Sequence, residues 1–255
     1  MAALVGCDDG SAEQPPDAAS TPGDPALQRV VELAEGSEVV ELTADDGVRL
    51  TGRVFGTGST TVVLSHMGST GSSQEDWFPL AARLAEEGYR VLTYNRRGVC
   101  SIAFDECSDG PGRFDHHHLD VAGAAAYAQE TGAERVVLGG ASIGAMASLQ
   151  AVLEGLVEPA GLVWLAGILD GEYVFTEDDV RRLGPVPTLL VSTRDDSFGA
   201  GPDARRLSGW IGGDAELVLL PGGEHGTELI DAEAAPERSE QVIQPVVEFL
   251  GGLPD

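Results

Sequence analysis

Gly140-Ala141-Ser142-Ile143-Gly144 sets a serine hydroxyl between small residues, directly after the apolar run 135–139 and before an alanine-rich stretch. Small flanking residues permit a tight strand-to-helix turn that exposes the hydroxyl, and the helix start offers free N–H groups to developing negative charge. A serine hydroxyl is a poor nucleophile until a base removes its proton, and that base needs an acid to orient it. Both partners are available further along. His225 lies in Pro221-Gly222-Gly223-Glu224-His225-Gly226, after the apolar run 216–220. Asp195 and Asp196 follow the apolar run 188–192. Serine, carboxylate and imidazole in that chain order could carry out acyl transfer.

The elements that must position these groups are legible from periodicity. Residues 38–43 and 48–55 alternate apolar and polar side chains around Asp45-Asp46-Gly47, which predicts a β-hairpin. Short apolar runs at 61–65, 90–94, 135–139, 162–165, 188–192 and 216–220 predict buried strands. Helical spacing predicts helices over 74–87, 117–131, 143–154, 202–210 and 237–250, with Asp115 a suitable N-cap for the second. Strands alternating with helices imply the α/β class, a mostly parallel sheet covered on both faces. Each candidate group then falls just past the C-terminal end of a strand, where open α/β sheets build their sites. The chain divides into a start and linker over 1–30 and one domain over 31–255.

Residues 38–251 resemble an α/β-hydrolase. The resemblance is carried by Ser142 in G-x-S-x-G, an acid after the next-but-one strand, and His225 in a glycine-flanked loop after the last strand. His66-Met67-Gly68 after the third strand and Asn95-Arg96-Arg97-Gly98 after the fourth add to it. It implies Ser142 as nucleophile, His225 as general base and then acid, and Asp196 as the orienting acid, since the family usually places that acid about four residues past the strand. Asp195 is the alternative. Ser65-His66-Met67-Gly68-Ser69 resembles the family's His-Gly-x loop, with Met67 where glycine is usual and Asn95 where aspartate is frequent. The implied oxyanion hole combines the amide of Ile143 with that of Gly68, or of Met67, and His66 becomes a structural residue of the turn. Residues 166–187 are too few for the helical lid many relatives insert there, so an open site is implied. The resemblance points to a carboxylesterase, thioesterase or small amide hydrolase acting on a small ester-like molecule without a cofactor. Trp77, Phe78, Tyr173 and Phe175 could line an acyl pocket, with core packing the commoner use of such residues.

Composition narrows the partners. The 255 residues carry a net charge of −27, and all basic residues are arginine. Phosphate contacts need a basic stripe, so nucleic acid and anionic membrane surfaces are excluded as partners. No apolar stretch approaches the roughly 18 residues of a spanning helix. Leu4-Val5-Gly6-Cys7 resembles the lipobox of bacterial lipoproteins, and residues 8–25 have the composition of a tether. Lipidation at Cys7 would make the protein extracytoplasmic and membrane-anchored; an ordinary cytoplasmic N-terminus is the alternative. Setting Cys7 aside leaves Cys100 and Cys107, either a disulfide or two free thiols. His116-His117-His118 with Asp115 and Asp120 has the wrong spacing for a metal site and reads as a solvated helix start. A second function class stays open at this stage: a non-catalytic, surface-anchored binding protein on the same fold.

Overall fold

The computed structural model describes residues 24–231 and 234–254. Cys7 and most of the expected linker lie outside them. Helical structure begins at α1 (Pro25–Leu33), capped by the Asp24 carboxylate, so it extends into the segment expected as linker.

Eight strands form one sheet. They are β1 (Glu38–Thr43), β2 (Arg49–Phe55), β3 (Thr60–Ser65), β4 (Arg90–Tyr94), β5 (Arg135–Ala141), β6 (Gly161–Leu165), β7 (Thr188–Thr193) and β8 (Ala215–Leu220). Their spatial order is β1-β2-β4-β3-β5-β6-β7-β8. β1 and β2 form the antiparallel hairpin, and Gly47 in its turn carries φ 86°, a left-handed conformation that glycine adopts freely. β2 also runs antiparallel to β4, while β4 through β8 are parallel. The chain order reverses around β3, and strand ends there open a crevice.

The central strands are apolar on both faces, so both faces must be covered. On one side α3 (His117–Glu130), α4 (Ile143–Leu153) and α6 (Ala200–Ile211) pack Val121, Ala124, Met146, Leu149 and Leu207 against the sheet. On the other, α2 (Phe78–Glu86) and α7 (Pro236–Gly252) contribute Leu80, Leu84, Val242 and Val246. Between β6 and β7 the chain forms only the short α5 (Glu177–Arg181), and no large lid is present there.

The start of α3 differs from expectation. Asp115 does not cap it: the N-cap is His116, and the Asp115 carboxylate bonds Arg113 instead. Nor is this helix start solvated, because His117 and Asp120 are fully buried. Tertiary contact explains the burial. Arg97 Nε donates to Asp120 Oδ1 at 2.8 Å, its backbone N–H donates to Asp120 Oδ2 at 3.0 Å, and its Nη1 and Nη2 donate to Asp46 at 2.8 and 2.9 Å. One guanidinium thus ties the hairpin turn, the loop after β4 and α3 together. Removing one partner from a buried ion pair leaves an uncompensated charge. Arg97→Met is therefore expected to cost roughly 3 to 5 kcal/mol, read as a lower urea midpoint at unchanged slope. A loss under about 1 kcal/mol, the range of a surface pair, would contradict the anchoring role.

Candidate active site

β5 runs up to Ala141, and Ser142 follows with φ 52° and ψ −120° before α4 begins. A side-chain-bearing residue rarely holds that conformation, so surrounding structure must impose it. Its N–H donates to Leu165 O at 2.9 Å. A Cβ on Gly140 would lie 2.3 Å from Gly144 C, and one on Gly144 would lie 2.2 Å from Ser65 O. Only glycine fits at either position, and α4 consequently starts flush against the end of β3.

The loop after β8 brings His225 to the serine. Nε2 of His225 lies 2.8 Å from Ser142 Oγ, and Nδ1 lies 2.7 Å from Asp196 Oδ2. An ionised carboxylate only accepts, so Nδ1 carries the proton and Nε2 is free to accept from the serine hydroxyl. Asp196 has a fully buried side chain, and its Oδ1 accepts from Phe198 N at 2.8 Å. The loop itself is pinned: His225 N donates to Glu228 Oε2 at 2.9 Å, and Thr193 Oγ1 donates to Glu224 O at 2.8 Å. Asp195, by contrast, is exposed and makes no contact with His225. Of the two adjacent carboxylates, Asp196 is the one seated against the imidazole.

Two sets of backbone amides face the same corner. The first amides of α4, beginning at Ile143, have no intrahelical acceptor. The amides of Met67 and Gly68 donate to no protein acceptor among the described residues. The two segments are close, since a Cβ on Gly68 would lie 3.2 Å from Ile143 Cγ2. His66 holds the loop. Arg96 N can only donate, so His66 Nε2 accepts from it at 3.2 Å and Nδ1–H donates to Met67 O at 3.0 Å. Burial keeps this ring far below the usual histidine range and therefore neutral.

Core packing, the commoner use expected for the four aromatic residues named from the sequence, is what the structure shows. Trp77, Phe78, Tyr173 and Phe175 are all buried in the core. Phe198, 65% exposed, lies with its ring centroid 4.4 Å from that of His225. Phe114, 37% exposed, stands beside Gly68. Phe198 lies in a loop and Phe114 opens a single 3₁₀ turn, where hydropathy periodicity is silent; the one available signal is the place of Phe198, two residues beyond Asp196. A groove of about 480 Å³ opens next to the site, lined by Leu27, Val30, Met67, Pro79, Ile102 and Thr227 among others. It reaches Met67 and Thr227 but not Ser142. One wall is the hairpin closed by the Cys100–Cys107 disulfide, whose Ile102 and Ala103 amides donate to Glu75. Among the described residues no cluster of three His, Cys, Asp or Glu could hold a metal.

A doubly covered, largely parallel sheet with serine, histidine and aspartate hydrogen-bonded in line beyond its strand ends is the arrangement of a hydrolase of the α/β type. Residues 62–251 match the Alpha/beta hydrolase family, and the chain belongs to that family. It is similar to the uncharacterised protein YfhR of Escherichia coli (strain K12), 24% identical over 233 residues that cover 81% of this chain and 79% of that protein. Among solved structures it is similar to the Pyrococcus furiosus esterase Pf2001, with a TM-score of 0.69 at 20% identity, covering 88% of this chain and 93% of that one. A thermophilic esterase from Thermogutta terrifontis aligns with a TM-score of 0.62 at 18% identity, covering 84% and 98%. At these identities the structural likeness is one of fold.

One carboxyl near the site is perturbed. Thr227 Oγ1, two residues beyond His225, donates to Asp76 at 3.1 Å, and burial pushes the Asp76 carboxyl up to about 6 from its usual 3.8. Between those values the native protein keeps a proton that the unfolded chain has released, so stability falls as pH rises through that window. Asp76→Asn is expected to remove about 1 to 3 kcal/mol of that fall, measured as the change in urea stability between about pH 4 and about pH 7. The same change in variant and parent would show that Asp76 carries no such linkage.

Proposed function

We propose that the protein is a serine hydrolase that cleaves small or medium carboxylic esters or thioesters through an acyl-enzyme. The observation that carries this reading is the continuous contact of Ser142 Oγ, His225 and Asp196. Ser142 Oγ attacks the carbonyl carbon as His225 Nε2 takes its proton. Buried Asp196 stabilises the resulting imidazolium and keeps its Nδ1–H aligned. The tetrahedral oxyanion is held by the amide of Ile143 together with that of Gly68 or Met67. Collapse passes the proton from His225 to the departing alcohol or thiol. Water, deprotonated by the same imidazole, then cleaves the acyl-enzyme and regenerates the serine.

The short β6–β7 connection supports a site open to soluble esters rather than one gated by a lipid surface. The lipobox-like Leu4-Val5-Gly6-Cys7 and the Cys100–Cys107 bridge support an extracytoplasmic location with a lipid anchor at Cys7.

Ser142→Ala is expected to keep its thermal transition and to lose p-nitrophenyl acetate kcat/KM by about 10⁴- to 10⁶-fold. Equal turnover in that variant would refute the mechanism. Adjacent carboxylates give a sharper comparison. Asp196→Asn is expected to fall by about 10³- to 10⁴-fold, and Asp195→Asn to stay within about twofold of the parent; a reversed order in steady-state rates would displace Asp196 from its role.

A further inference from the structure

Three arginines are buried, Arg53, Arg96 and Arg97, and they are treated differently. Arg53 is paired with Glu106, and Arg97 with Asp46 and Asp120. Arg96, 5% exposed, forms no ion pair among the described residues. Asp120 is already engaged by Arg97, and Asp76 by Thr227. Arg96 Nε lies 3.4 Å from His66 Nδ1, but that nitrogen donates to Met67 O and cannot accept. Beside it His117 is fully buried, with no partner for either ring nitrogen, and burial holds it far below its usual range, so it supplies no charge. Burial lowers the Arg96 pKa to about 10, which still leaves a cation at neutral pH.

A desolvated cation with no carboxylate in direct contact, held only by the more distant charges of Asp120 and Asp76 and by the Phe114 face, is under-compensated, and a guanidinium is a fork built for carboxylate. Its surroundings leave that fork usable. Neither Arg96 Nη hydrogen-bonds another described residue, and neither is among the wholly enclosed unpartnered atoms, so the tips of this 5% exposed side chain reach the edge of accessible space. Its position is also telling. The guanidinium carbon lies 5.2 Å from the Phe114 ring centroid, the position of a Gly68 Cβ lies 3.2 Å from that ring, and the same position lies 3.2 Å from Ile143. Arg96 therefore stands one aromatic ring away from the Gly68 segment, which packs against Ile143 next to Ser142.

From this we infer that Arg96 is a specificity-determining residue that binds a carboxylate carried by the substrate a few bonds from the scissile carbonyl. The inference deepens the hydrolase reading and rests on it for the scissile bond, though not for the anion site. The preferred substrate class is then an anionic ester, such as a half-ester of a short dicarboxylic acid. Recognition comes from a two-pronged hydrogen-bonded ion pair in a low-dielectric pocket.

Matched esters test this. Ethyl hydrogen glutarate and ethyl pentanoate have acyl chains of equal length and differ in the terminal carboxylate; acetoxyacetate and ethyl acetate make the same comparison on the alcohol side. At least one anionic ester is expected to exceed its neutral counterpart at least about tenfold in kcat/KM. Arg96→Gln should lose about 10- to 100-fold on that anion, mainly through KM, and stay within about threefold on neutral esters; Arg96→Lys should recover part of the loss. Equal rates for charged and uncharged esters in the parent, or an equal loss on both in Arg96→Gln, would overturn the assignment. Calorimetry in the Ser142→Ala background reads the anion site without turnover. There the glutarate half-ester or acetoxyacetate should bind more tightly than its neutral partner. If Arg96→Gln fails to fold, this comparison with Arg96 intact decides the matter, and indifference to the carboxylate in both pairs refutes the anion site. Loss of all turnover with that discrimination retained would count against the hydrolase reading alone.

Discussion

Ser142 occupies a left-handed backbone conformation that a side-chain-bearing residue enters only under constraint, and the rest of the site depends on that constraint being met. It is met by close approach. Gly140 lets the first turn of α4 fold back over the end of β5, and Gly144 lets that turn lie against the Ser65 carbonyl at the end of β3. The same contact fixes where the loop beginning at His66 leaves the sheet. One packing event therefore lifts the hydroxyl out of the strand, sets the unpaired first amides of α4 next to it in the chain, and brings the Met67–Gly68 segment alongside Ile143. A methyl group at either glycine would strike backbone rather than a yielding side chain, so the arrangement has little room to relax.

A second layer holds the loops that surround this turn, and it is ionic. The chain is strongly acidic, yet its buried arginines concentrate around the C-terminal end of β4: Arg96 and Arg97 follow that strand, and Arg53 of β2 pairs with Thr93 near its end. Arg97 binds Asp46 and Asp120, while Arg53 binds Glu106, which also accepts from Gln74 at 2.9 Å. Apolar packing alone specifies position loosely, whereas a guanidinium with two carboxylates specifies direction as well. This explains how loops can present rigid functional groups with few apolar contacts of their own. Arg96 belongs to the same loop as Arg97 but is left out of the internal pairing.

Much of this was legible in the sequence because it follows from periodicity and chain order. The eight strands sit at or near the alternating and apolar runs, and serine, aspartate and histidine occur in the order that the α/β-hydrolase resemblance implies. What periodicity cannot give is the content of loops. Asp195 and Asp196 are equivalent on hydropathy; only the spacing implied by the resemblance favours Asp196, and the turn that buries it and exposes Asp195 seats it against His225. Asp115 and the three histidines read as a solvated helix start, since nothing local indicates that Arg97, some 20 residues earlier, would draw Asp120 inward. Trp77, Phe78, Tyr173 and Phe175 pack in the core, the commoner use of such residues, whereas the two aromatic residues at the mouth, Phe114 in a short 3₁₀ turn and Phe198 in a loop, are placed by tertiary contacts. The helix α1 escaped notice for a similar reason: its start, Asp24-Pro25, doubles as linker composition and as a cap followed by proline.

The central claim is that Ser142 is a nucleophile activated by His225, and covalent capture tests it most directly. Incubation of the parent protein with a fluorophosphonate, followed by intact-mass measurement and peptide mapping, is predicted to show one adduct located on Ser142, with labelling abolished in His225→Ala. Absence of an adduct on the folded parent, or an adduct on another residue with Ser142 unmodified, would contradict the account.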